Sequence, residues 1–123
     1  MKAVTGAPAR GHYVPAMISG NTVYVSGQTS ADPETGLPAP GGIEAETQMA
    51  LDKMERVLKD AGCTKEQVVM CRVYILTADD WDVVNGVYSA FFGDHKPARA
   101  IVPIRELSKG CRIEIEAVAE LKR

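Results

Sequence analysis

The stretch "HKPARAIVPIRELSKG" holds two arginines six residues apart, Arg99 and Arg105. Arg99 follows Pro97 at the head of an apolar run and is flanked by Ala98 and Ala100. Small neighbours leave room for the planar guanidinium, whose fork can grip a carboxylate through two parallel hydrogen bonds. An intrachain salt bridge, or a surface side chain with its stem laid on apolar ground, is the structural alternative. Arg105, beside Glu106 in "IRELSKG", reads as a solvated loop charge. Glu116 stands mid-strand in "RIEIEAVAE", an apolar setting for a carboxylate. Either it pairs with Arg112 on the same face, or it is a partly buried acid whose raised pKa suits general acid–base work on a water molecule.

Other chemistries lack their residues. No G-x-G-x-x-G or G-x-x-x-x-G-K-[ST] run is present to cradle nucleotide phosphates. His12 and His95 lie far apart and neither has metal-ligand spacing, so no metal is expected. Ser26 ends a strand in "VSGQ", yet no G-x-S-x-G elbow surrounds it and neither histidine is placed to serve as its base. Cys63 and Cys71 read as small buried residues.

These side chains need a scaffold, and the hydrophobic periods supply one. "NTVYVSGQ" alternates as a half-buried strand, and "HYVPAMISG" before it is a partner joined through Gly20-Asn21, with Pro15 at its edge. "ADPETGLPAPGG" is a long loop. From Ile43, the residues Thr47, Ala50, Leu51, Met54, Val57, Leu58 and Ala61 recur at helical spacing up to Gly62, with Glu44 and Glu46 among the charges between them. "QVVMCRVYIL" reads as a strand, and a second helix runs from Asp79 or Asp80 to Gly93. "ARAIVPI" and "CRIEIEAVAEL" are the last strands, the latter with Ile113, Ile115, Ala117 and Ala119 on one face. The order ββαβαββ predicts an α+β fold, a sheet with two helices packed on one face. Alternation assigns Tyr24, Ser26, Arg99, Ile101, Arg112, Glu114 and Glu116 to the other face, a set too apolar for plain solvent surface and suited to meeting another subunit.

A chain of 123 residues is one domain's worth, 1–123. Net charge of −2 and a pI near 5.7 argue against a nucleic-acid binder that works by neutralising phosphates. Three cysteines without C-x-x-C spacing, no secretory h-region and no long apolar run predict a soluble, cytoplasmic protein away from the membrane.

The pieces "GHYVPA", "VSGQ", "DPETG", "AGC", "VVMCRVYIL", "VNGVYSAFFGDHKPARA" and "IEIEAVA" span nearly the whole chain. In that order and spacing the sequence resembles the RidA/YjgF family of reactive-intermediate deaminases, also called L-PSP-type endoribonucleases. The resemblance implies a mixed sheet and a chorismate-mutase-like homotrimeric barrel with active clefts at the subunit interfaces. It implies cofactor-free hydrolysis of enamines and imines, such as 2-aminoacrylate, to 2-keto acids and ammonia, downstream of pyridoxal-phosphate-dependent dehydratases. By position, the motif arginine falls on Arg99 as carboxylate clamp and the glutamate on Glu116 as holder of the attacking water. Tyr13, Ser26, Gly27 and Asn85 would line the cleft. His12, Val14, Pro15 and Ile101 depart from the commoner family pattern, which bears on substrate range. A regulatory protein that binds small carboxylates, and an endoribonuclease, are the alternatives.

Overall fold

Each element expected from the hydrophobic periods is present in the computed structural model, which describes residues 1–122. In chain order these are β1 (Lys2–Val4), β2 (Ala16–Ser19), β3 (Thr22–Thr29), α1 (Gly42–Asp60), β4 (Val68–Ile75), α2 (Trp81–Phe92), β5 (Ala98–Pro103) and β6 (Ile113–Glu120). Only β1 is additional to the expected order. Its three residues are too few to show a period, and it gains strand geometry by pairing with β2.

The strands form one mixed sheet in the order β1-β2-β3-β6-β4-β5, antiparallel throughout except for the parallel β4–β5 pair. A parallel pair needs a long crossover, and α2 supplies it. Between β2 and β3 the chain reverses through Gly20 and Asn21, of which only the glycine takes a positive φ, at 60°. Pro15 sits just ahead of β2, where its missing N–H costs no ladder bond.

Both helices cover one face of the sheet. Leu51, Met54, Val57 and Leu58 of α1 and Val84, Tyr88, Phe91 and Phe92 of α2 join Val23, Val25, Val73, Ile75, Ile113 and Ile115 in a single core cluster. Helix α1 stops where Gly62 takes φ 86°; the Cys63 N–H reaches the Leu58 carbonyl at 2.8 Å and the Gly62 N–H reaches that of Lys59 at 3.0 Å, a Schellman closure.

Glu46 departs from its expected place among the solvated charges of α1. It is 5% exposed, and its Oε1 accepts the Ser30 hydroxyl at 2.7 Å and the Arg112 backbone N–H at 2.9 Å. It thereby fastens the loop after β3 and the start of β6 to the helix. Glu46→Ala would strand both donors in the interior, and the expected loss is about 2–4 kcal/mol of unfolding free energy in a urea titration.

Candidate active site

Arg99 lies on the helix-covered side of the sheet, contrary to the alternation that put it and Ile101 on the other. It is the register partner of the buried Cys71 on β4, and in a parallel pair such partners share a face. Because β5 is the edge strand, the side chain is still half exposed. Its Nη1 donates to Asn85 Oδ1 at 2.9 Å, and the guanidinium carbon stands 4.8 Å from the Tyr88 ring centroid and 5.5 Å from that of Trp81. Trp81, Asn85 and Tyr88 fall at i, i+4 and i+7 on α2, one stripe of the helix. Aromatic faces attract the cation without neutralising it. No carboxylate pairs with Arg99 among the described residues, which removes the salt-bridge alternative for them. Asn85, Tyr88 and Arg99 line a cavity of about 420 Å³.

Tyr88 keeps its hydroxyl buried without a conventional hydrogen-bond partner among the described residues. The Cys71 thiol, a weak acceptor, is its polar neighbour, and burial drives the phenol well above its ordinary pKa. Tyr88 thus stays neutral beneath the guanidinium. Trp81 and Tyr88 gave no sequence signal beyond a helical apolar stripe, which a core would explain equally well.

Glu116 lies on the open face, on the opposite side of the sheet from Arg99. Its register partner is Arg72, and its Oε1 accepts the Tyr74 hydroxyl. That hydrogen bond is the first cause of the raised Tyr74 pKa. Of the two readings of Glu116, the pairing with Arg112 is absent. Arg112 Nη2 instead contacts both carboxylate oxygens of the buried Asp80, at 2.9 and 3.0 Å.

Glu114 shares the open face with Glu116, two residues back. Burial holds its carboxyl above the usual carboxylate range, the charge of Glu116 adds to the effect, and Lys53 partly opposes it. The carboxylate lies against Gly27. Between Val25 and Gln28, β3 spends one more residue than β6 does, so Ser26 and Gly27 form a bulge that re-aims the strand there. Ser26 donates its hydroxyl to the Val14 carbonyl at 2.7 Å, tying the bulge to the segment that carries Tyr13. Tyr13, 51% exposed, and Gly27 both line a second cavity, of about 380 Å³.

The chain therefore brings Arg99 together with Asn85, and Tyr13 together with Gly27, but keeps the two groups apart. His95 lines the Arg99 cavity, and its Nε2 stands 2.7 Å from the Val68 carbonyl. Among the described residues no three His, Cys, Asp or Glu side chains cluster as metal ligands, and no helix is long and apolar enough to cross a membrane.

Many known proteins are similar to this chain in sequence or in fold. The family model described as Endoribonuclease L-PSP matches residues 4–121. A rat 2-iminobutanoate/2-iminopropanoate deaminase is 42% identical over 92% of this chain and 83% of its own length. The Escherichia coli protein of the same name is 36% identical, over 95% of this chain and 94% of its own. The crystal structure of E. coli TdcF with bound serine superposes with a TM-score of 0.92 at 30% identity, covering 99% of this chain and 100% of that one. With the family match running from the end of β1 through β6 and both helices, the chain belongs to the Endoribonuclease L-PSP family, the RidA/YjgF proteins.

Proposed function

We propose that this protein hydrolyses 2-imino acids and their enamine tautomers, such as 2-aminoacrylate, to 2-keto acids and ammonia. The observation that carries this reading is Arg99: a guanidinium without a carboxylate partner among the described residues, oriented by Asn85 and laid on Tyr88 beside an open cavity. Such a group fits a ligand carboxylate and fixes the imine carbon relative to a water. The names of the rat and E. coli relatives support the same reaction.

The carboxylate that serves the water is best read as Glu114. Glu116 has an oxygen taken up by Tyr74, whereas Glu114 lies against the Gly27 bulge with its proton affinity raised. Glu114 takes a proton from water as oxygen adds to the carbon of the protonated imine, whose C=N π electrons move onto nitrogen to give the neutral carbinolamine. It then returns its proton to the nitrogen of the carbinolamine while the hydroxyl proton is lost; the C–N bond breaks and ammonia leaves. Glu116 charges the neighbourhood and orients Tyr74. Tyr13, Ser26 and Gly27 shape this half of the site, and no cofactor enters the scheme.

Arg99 and Glu114 lie on opposite sides of one sheet, so one substrate touching both must lie between two chains. The open face suits such contact: Tyr24 is 52% exposed there and Val102 39%. We read the working form as a homotrimer whose clefts join Arg99 of one copy to Glu114 of the next. Its suppliers would be enzymes that release enamines, the pyridoxal-phosphate-dependent dehydratases, in the cytoplasm.

The test is to form an imine in situ with an amino-acid oxidase and catalase, then compare its decay with and without protein. Decay at the uncatalysed rate, with 2-keto acids still bound, would transfer the reading to a carboxylate-binding protein. A Cβ at Gly27 would overlap the Glu114 carboxylate and lie 2.9 Å from its Cδ, while the backbone there has no positive φ. Gly27→Ala is expected to fold with nearly unchanged Tm and to lose about 100-fold in kcat/KM by displacing that side chain.

A further inference from the structure

The cavity beside Tyr13 carries more positive charge than imine hydrolysis uses. Its volume of about 380 Å³ is that of a small-molecule site. Arg10 from the segment after β1, Lys53 and Arg56 from α1, and Lys109 from the turn before β6 all line it. Against these four cations Asp32 is the one carboxylate among the described lining residues, and its Oδ1 already accepts the Glu34 backbone N–H at 2.9 Å.

The cations are placed by specific local structure. Lys53 Nζ donates to the carbonyls of Thr29 at 2.8 Å and Ala31 at 3.0 Å, which leaves one of its three donors. Arg56 Nη2 donates to the Gly6 carbonyl at 3.0 Å, and its Nε stands 3.8 Å from Asp60. The Arg10 guanidinium rests on Gly36, where a Cβ would come within 3.0 Å of Nη1 and where φ is 73°. Lys109 is the one non-glycine with positive φ, at 60°, among the described residues. Burial also depresses the Lys53 pKa, and an anion alongside would reverse that.

We propose that this cavity binds a small polyvalent oxyanion, with carboxylate or phosphate oxygens shared among Arg10, Lys53 and Lys109. The anion has two possible sources. It is a second acidic group on the imine itself, given that Tyr13 and Gly27 line the same cavity, or a free metabolite that occupies it.

Calorimetric titration of the full chain with inorganic pyrophosphate tests the site without any catalysis, so its failure is separable from a failure of the deaminase reading. The expected result is saturable binding, one per chain, that weakens with salt. The doubly substituted R10Q/K109Q protein is expected to bind about tenfold more weakly or worse. A K2Q/K122Q control, altered outside the cavity, is expected to bind like wild type. Absence of saturable binding, or unchanged binding by R10Q/K109Q with its Tm intact, would overturn the proposal. Imines made from glutamate and norleucine then separate the sources. A preference of about tenfold for the glutamate imine that vanishes in R10Q/K109Q assigns the anion to the substrate. Equal rates on both imines, altered alike by pyrophosphate, assign it to a free ligand.

Discussion

Arg99→Ala is expected to lower kcat/KM for imine hydrolysis by about 100-fold or more, since a bidentate pair with a charged group positions the reacting carbon as well as binding it. Arg99→Lys separates those two contributions. Lysine keeps the charge but replaces the fork with a point donor, and it cannot lie flat on Tyr88. The lysine variant is therefore expected to retain weak keto-acid binding while kcat stays depressed, a split visible in steady-state kinetics with 2-oxobutanoate as inhibitor. Wild-type rates in either variant would remove Arg99 from the site. Stability should change little, because among the described residues the guanidinium has one side-chain hydrogen bond, to Asn85, and no ion pair to lose. Mixed assemblies give a sharper test of the interfacial arrangement. If each cleft takes Arg99 from one copy and Glu114 from another, co-refolding R99A with E114Q chains should regenerate some intact clefts. Either variant alone would regenerate none.

The hydrophobic periods of 2 and 3.6 residues marked every helix and all strands but β1, because those elements bury one face and their apolar residues repeat accordingly. What the periods did not carry was the side on which a residue near a break falls. Arg99 follows a proline at a strand start, and the crossover through α2 set its face by parallel pairing with Cys71, which no local alternation records. Glu46 looked like one of several helix acids, yet its partners Ser30 and Arg112 are distant in sequence. Arg112 and Glu116 do alternate to one side, but Asp80, brought in by the turn ahead of α2, took the guanidinium. Glu114 and Glu116 are two residues apart on one strand and indistinguishable by pattern. The β3 bulge, which lays Gly27 against one of them, has no signature in β6.

That bulge makes Glu114→Gln the second decisive substitution, with opposite consequences for rate and for stability. If Glu114 shuttles the water's proton, glutamine keeps the shape, removes the base, and is expected to cost about 10²–10⁴ in kcat. The wild-type kcat/KM profile should then lose activity on its acid side as Glu114 takes up a proton, at a pH above the ordinary glutamate value of about 4.3. Glu116→Gln gives the discriminating measurement. Glu116's charge helps to raise the Glu114 pKa, so removing it should move the acid limb to lower pH and leave a substantial maximal rate. If Glu116 were the base, the two variants would exchange behaviours. Stability follows from the same shift. The folded chain holds the Glu114 proton to a higher pH than the unfolded chain does, so between those two pKa values it binds more protons. Stability contributed by this group therefore falls as pH rises through that window, and at neutral pH the folded state carries the cost of a half-buried carboxylate. Glutamine carries no such charge, and Lys53 keeps its two carbonyl acceptors in the variant. Glu114→Gln is thus expected to have a higher Tm than wild type at pH 7–8, a gain that shrinks as pH falls and is gone by about pH 3, where glutamate is neutral in both states. A variant that is inactive and yet more heat-stable would mark Glu114 as a carboxylate retained for chemistry at the expense of the fold.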